Sequence, residues 1–379
     1  MNKKLITLAA ALAAPLAVQA SVEVYGNARL SFDYVNNNDN RPASANPCGA
    51  NLACKDSSLS LISNYSYIGF KGDEDLGAGL TALWQIEQDV AFDSRKWGSV
   101  ARDTYAGLGT GFGSVLAGHM QTPYRAATER LDPFANTRAD FNAVIGSFDG
   151  QEIFNDQNRT SNTLAYISPD FSGLKAAVAY ILSDAVTGND TLPLTSVQSD
   201  QGAYSISFDY DNGPIFATAA YESLLKAGLD ALLTSTPSTH DATAWKVGGS
   251  YTIRESATLG VVYENIDLGG AVGDRIAWSL DASYRLGATT LMAAYNGADK
   301  TKLGNTGANQ YSIGVKQGLS KYTEVYVLYT QLSNDGAASY GLDNYNTGVI
   351  DGVPSSNAVV KGRDMSAVSI GINHAFSSK

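Results

Sequence analysis

Residues 275–286 read Arg275-Ile276-Ala277-Trp278-Ser279-Leu280-Asp281-Ala282-Ser283-Tyr284-Arg285-Leu286. Ile276, Trp278, Leu280, Ala282, Tyr284 and Leu286 fall on one side of a two-residue period. Arg275, Ser279, Asp281, Ser283 and Arg285 fall on the other. A period of two is a β-strand with one apolar face and one polar face. Val22 to Tyr34 repeats the pattern: Val22, Val24, Gly26, Ala28, Leu30, Phe32 and Tyr34 share one face, opposite Glu23, Tyr25, Asn27, Arg29, Ser31 and Asp33.

Working outward gives sixteen such segments, near 22–34, 62–72, 80–89, 101–108, 114–120, 160–168, 174–183, 202–211, 215–222, 243–253, 256–265, 275–286, 289–296, 308–319, 323–332 and 365–376. Tight connections, such as Asp73–Gly79, Gly109–Gly113, Asp211–Pro214, Arg254–Glu255 and Ser320–Tyr322, alternate with long polar ones at 35–61, 121–159, 223–242 and 333–364. Short turns on one rim and long loops on the other, with an even strand number, describe an outer-membrane β-barrel. A soluble β-sandwich shows the same alternation but uses fewer strands.

The first twenty residues, MNKKLITLAAALAAPLAVQA, have a basic start (Lys3, Lys4), an apolar stretch from Leu5 to Ala14 and a small-residue site at Val18-Gln19-Ala20. They read as a cleaved signal peptide, residues 1–20, with residues 21–379 the barrel. Loss of Lys3 and Lys4 moves the formal net charge from −11 to −13. An acidic chain of this kind is not expected to bind nucleic acid. No later stretch approaches 18 apolar residues, so helical spans are not expected. The 37 Gly, 21 Tyr and 12 Phe suit tight turns and aromatic girdles.

Cys48 and Cys54 are the two cysteines, six positions apart in a polar stretch. In an exported chain such a pair reads as a disulfide within one loop. A metal site is the competing reading, but no His or further Cys stands nearby, and none is expected. No catalytic site is expected either. His119, His240 and His374 are the available histidines, and Gly109-Thr110-Gly111-Phe112-Gly113 joins two strands without the helix a phosphate loop needs. No cofactor is implied.

The ordered motifs carry a resemblance. Val24-Tyr25-Gly26 opens the first strand. Ile68-Gly69-Phe70-Lys71-Gly72 runs into Asp73-Glu74-Asp75-Leu76-Gly77-Ala78-Gly79-Leu80, and Trp84-Gln85-Ile86-Glu87 follows. Tyr105-Ala106-Gly107-Leu108, Phe112-Gly113-Ser114-Val115, Thr122-Pro123-Tyr124, Asp132-Pro133-Phe134, Asn162-Thr163-Leu164-Ala165-Tyr166 and Ser168-Pro169-Asp170-Phe171 complete the set. Together they resemble the general porins of Gram-negative outer membranes, homotrimers of sixteen-stranded barrels. Two departures stand out: Ser377-Ser378-Lys379 follow Phe376, where family chains end on Phe, and Tyr67 and His119 stand where Arg is common.

The resemblance implies an all-β, sixteen-stranded antiparallel transmembrane barrel with 121–159 folded inward as the constriction loop. It implies passive diffusion of small polar solutes and ions through the lumen, or alternatively a solute-selective channel with a saturable site. Outer-membrane lipid and lipopolysaccharide are the expected surroundings. Glu129, Asp132, Asp140, Asp149 and Glu152 are the loop's acidic residues, of which Glu129 and Asp132 are expected to face the lumen. Arg29, Lys71, Arg102 and Arg159 are expected on the wall opposite. With Tyr67 and His119 replacing basic positions, weak cation preference is the sequence expectation.

Overall fold

A bilayer supplies no hydrogen-bond partner to the backbone, so strands can cross it only as a closed sheet. The computed structural model of the chain describes residues 21–38, 57–94, 97–148, 153–154, 159–182, 202–225, 241–270, 272–342 and 361–379. Residues 1–20, Cys48, Cys54, Asp149 and Glu152 lie outside the described residues.

Sixteen strands run antiparallel in chain order: β1 Ser21–Asn38, β2 in two parts (Ser57–Ser63 and Tyr67–Gly77), β3 Leu80–Val90, β4 in two parts (Trp97–Ala101 and Thr104–Thr110), β5 Gly113–Met120, β6 Thr160–Ile167, β7 Leu174–Ile181 and β8 Ala203–Asn212. There follow β9 Ile215–Leu224, β10 Ala242–Ile253, β11 Ala257–Asp267, β12 Asp274–Leu286, β13 Thr289–Ala298, β14 Ala308–Gly318, β15 Thr323–Asn334 and β16 Asp364–Ser377. Both parts of β2 pair with β1 and both parts of β4 pair with β3, so each pair of segments is one barrel strand. β1 closes on β16 from Tyr25↔Ser377 to Asn38↔Asp364.

The two faces separate as their chemistry demands. Phe32, Ile313 and Ile370 are 58–59% exposed, whereas Asp33 and Ser369 beside them in sequence or register are fully buried. An outward aromatic row crosses eight strands through Tyr204–Tyr221, Trp245–Tyr263, Trp278–Tyr295 and Tyr311–Tyr329, with ring centroids 5.1–6.0 Å apart within each pair. It lies towards the rim bearing the long connections, as an interfacial girdle does.

The inner face departs from simple alternation in two ways. At Asn64–Ser66 the second strand breaks, Tyr65 takes φ 55°, and Asn64 N–H donates to Arg29 O at 2.9 Å. At Arg102–Asp103 the fourth strand breaks, with Arg102 N–H on Glu87 O at 3.0 Å. Such interruptions re-aim side chains, and these two set Arg29 and Arg102 on neighbouring stretches of lumenal wall. The second departure is apolar: Val262, Ala277, Leu328 and Leu332 point inward and are buried beneath the 121–148 segment.

The residues after Phe376 extend the seam. Ser378 N–H donates to Val24 O at 2.8 Å, Val24 N–H donates to Ser378 Oγ at 3.0 Å, and Ser377 Oγ bonds Glu23 at 2.7 Å. Further along, the Tyr326 ring lies over Gly371 where a side chain would stand. Gly371→Val is therefore expected to cost about 1–3 kcal/mol by overpacking. Urea unfolding in micelles, compared with Ser369→Ala as a volume-reducing control, checks it.

Candidate functional site: the inward loop and the facing wall

The segment after β5 folds into the lumen because its own sequence caps, turns and buries it. Thr122 Oγ1 accepts Arg125 N–H at 3.2 Å and Pro123 opens a short helix, α1 (Pro123–Ala127). Short 3₁₀ turns follow at Glu129–Leu131 and Phe141–Ala143. Tyr124, Leu131, Phe134, Phe141, Val144, Ile145 and Phe148 are each at most 2% exposed, packed on the lumenal wall from β8 to β15. The Phe134 ring seats over Gly314, where a Cβ would come within 2.9 Å of it.

Polar clamps fix that packing. Glu264, fully buried on β11, accepts Tyr124 Oη–H at 2.6 Å and Gly146 N–H at 2.9 and 2.8 Å. Its ion-pair partner Arg275 on β12 donates at 3.0 Å and also reaches Val144 O at 2.9 Å. A buried ion pair contributes little unless its remaining sites are satisfied. Here the loop itself supplies most of those partners. Across the lumen, Arg138 Nε donates to Asp33 Oδ2 on β1 at 2.8 Å, and Arg29 Nη1 approaches Asn136 Oδ1 at 3.4 Å. The loop thus spans from the β11–β12 wall to β1.

The wall from β1 to β4 alternates cations with tyrosine rings. Arg102 stacks at 4.8 Å and Arg29 at 5.7 Å from the Tyr67 centroid, and Lys71 Nζ lies 4.6 Å from the Tyr25 centroid. Tyr25 Oη–H donates to Glu87 at 2.7 Å, and Glu87 pairs with Arg102 at 3.5 Å. Arg29 has no carboxylate within ion-pair distance among the described residues. Tyr67 is the shared aromatic platform on which both guanidiniums stack.

The expected site residues divide. Arg29 and Arg102 sit together on the wall, and Glu129 is exposed on the loop with its charge felt at Arg29. Lys71 lies towards the short-turn rim, paired with Glu23 at 3.5 Å. Asp132 needs correction: its oxygens accept Phe134 N–H at 2.8 Å and Phe141 N–H at 2.9 Å, and it is 7% exposed. It staples the loop to itself instead of facing the lumen. Arg159 is likewise buried, its guanidinium on Asp103 at 3.1 and 3.4 Å. Asp103 also accepts Gln121 N–H at 3.0 Å, so this pair ties together both ends of the loop. Glu264, Arg275 and Asp33 escaped sequence reasoning. An unusually apolar inner face around them, at Val262 and Ala277, was the available signal.

A closed sixteen-stranded barrel with an aromatic girdle and a loop crossing its lumen is a pore-forming outer-membrane barrel. The Gram-negative porin family model matches residues 6–338, and the chain belongs to that family. It is 28% identical to the major outer membrane protein P.IA of Neisseria meningitidis serogroup C, over 99% of this chain and all of that one. It is 31% identical to the P.IB protein of serogroup B over 57% of each chain. Among solved structures it is similar to the anion-selective porin from Comamonas acidovorans, with TM-score 0.69, 23% identity, and coverage of 94% of this chain and 100% of that one. It also resembles the trimer form of OmpT from Vibrio cholerae, with TM-score 0.62, 17% identity, and 94% and 99% coverage. It is an outer-membrane porin, a water-filled channel for small hydrophilic solutes.

Two outcomes are expected. Asp103→Ala removes the carboxylate paired with the buried Arg159 guanidinium and the acceptor of Gln121 N–H, and should cost about 1–3 kcal/mol in unfolding, whereas Asp103→Asn should cost less. The second concerns Asp132, whose carboxyl is pushed well above the usual range by burial and then by neighbouring Asp140, against its two N–H donors. Because the folded protein holds that proton more tightly, the associated stability is present at low pH and falls as pH rises from the ordinary carboxylate range towards the raised value. Stability measured against pH in Asp132→Asn should lack that fall.

Proposed function

We propose that residues 121–159 form the channel's constriction, and that solutes pass between this loop and the β1–β5 wall. The observation that carries this reading is the loop's double anchorage, on Glu264 at one side and Asp33 at the other. Glu129 supplies the exposed loop carboxylate, and Arg29 and Arg102 supply the facing cations. Facing charges order water across the passage, which favours dipolar solutes over apolar ones.

Charge balance at this point favours anions, revising the cation preference expected from the sequence. Asp132 is spent on backbone N–H groups, which leaves Glu129 as the loop carboxylate acting on Arg29, itself without an ion pair among the described residues. Arg102 adds a second wall cation, paired with Glu87. A unit charge about 5 Å from a passing ion contributes roughly 0.8 kcal/mol in water, about fourfold, before salt screening. Reversal potential across a bilayer with a KCl gradient should show weak anion preference that Arg29→Gln removes. Cation preference in the unaltered channel contradicts this.

The outward apolar band and the trimer form described for the Vibrio cholerae relative support a homotrimer. Crosslinking in mild detergent should give three-chain species. The channel acts without catalysis, residues 1–20 direct export, and Cys48 and Cys54 are joined. Intact mass of the unreduced protein should begin at Ser21 and show two hydrogens fewer than the dithiol.

A further inference from the structure

We infer that the cavity between the loop tip and the wall of β1, β14, β15 and β16 binds the head group of an α-amino acid, with its carboxylate towards Arg29 and its ammonium towards Glu324. The cavity measures about 30 Å³ and is lined by Asn136 on the loop and by Arg29, Lys316, Glu324 and Asn373 on the wall. That volume holds about two waters, so it takes an end group while the rest of the solute stays in the lumen. The inference rests on the passage running along the β1 wall and names a solute held there.

Register sets the charged groups in one row. Asn373 on β16 stands opposite Arg29 on β1 and opposite Glu324 on β15. Neighbouring strands lie about 4.8 Å apart, so the backbones at Arg29 and Glu324 are separated by about 10 Å. Their side chains leave a gap: the Glu324 charge is felt at Arg29, yet no ion pair joins them. A cation and an anion therefore face each other across the cavity, an arrangement that orients a dipolar solute.

The bonds already made leave each side open. Arg29 Nη1 donates to Tyr65 O at 3.2 Å and to Asn136 Oδ1 at 3.4 Å, while its Nε and Nη2 have no hydrogen-bond partner among the described residues. Opposite, Asn373 Nδ2 donates to Glu324 Oε1 at 3.1 Å, and Lys316 Nζ lies 3.3 Å from the same oxygen. Glu324 Oε2 has no partner among the described residues. A carboxylate alone satisfies the Arg29 donors and leaves that oxygen open, and an ammonium alone does the reverse. An α-amino acid meets both with charge-assisted bonds. Lys316 competes for Glu324 only weakly, because both side chains are about one-third exposed.

Saturation-transfer NMR on the full-length protein in micelles tests this with glycine, acetate, methylammonium and glycolate, each read on its own C–H signal at neutral pH and matched ionic strength. Glycine should bind saturably. The other three lack one of its two charges and should bind at least about tenfold more weakly, the usual consequence of losing a charged hydrogen bond. Arg29→Gln and Glu324→Gln should each weaken glycine to a similar extent. Lys316→Gln leaves Glu324 to the ligand and should tighten glycine, a gain that misfolding cannot imitate. Binding is read without permeation, so it stands or falls separately from the reversal potential that tests the passage. No saturable glycine signal, acetate or glycolate binding as tightly as glycine, a Glu324→Gln or Arg29→Gln protein that keeps the original affinity, or a Lys316→Gln protein that gains none overturns the proposal.

Discussion

Everything in this molecule depends on backbone groups having no partner but each other inside a bilayer. The β1–β16 seam meets that demand with fourteen paired positions, from Tyr25↔Ser377 to Asn38↔Asp364. Ser378 and Glu23 carry it to the end of the chain. Once the sheet is closed, diameter follows from strand number, and sixteen strands leave a bore that wall side chains cannot fill.

Inside the barrel lies a second core. The loop buries Tyr124, Phe134, Phe141 and Phe148 on a lumenal wall whose own residues are small or apolar there. Such packing is non-directional. Position comes from Glu264 and Arg275, because a buried carboxylate and guanidinium are stable only where their bonds are filled. The loop backbone at Gly146 and Val144 fills most of them in one placement, with Arg275 Nε left without a hydrogen-bond partner among the described residues. One side of the lumen is therefore solid, and the passage is displaced towards Arg29, Tyr67 and Arg102.

The barrel was legible because lipid enforces a period of two, and Arg275 to Leu286 shows it without interruption. The two strand breaks were not, since Asn64-Tyr65-Ser66 and Arg102-Asp103 carry no strong turn signal and are held by contacts with Arg29 O and Glu87 O from other strands. Resemblance pointed to the 121–159 loop and to Arg29, Arg102 and Glu129, of which Arg29 and Arg102 share the Tyr67 ring and Glu129 is exposed. It could not distinguish Asp132, which turns onto Phe134 N–H and Phe141 N–H, from a lumenal carboxylate. That choice is made by Pro133-Phe134 folding back on the wall. Arg159 was read as a pore cation for a similar reason: its Asp103 partner is 56 residues away in sequence.

The central claim is that a loop fixed by Glu264 sets the bore. Single-channel recording of Glu264→Ala in planar bilayers tests it most directly, on protein shown by heat-modifiable migration to be folded. A released loop should give a current that flickers among several levels, the largest above the wild-type conductance. A steady current at the wild-type level would show that the loop's placement does not depend on this clamp.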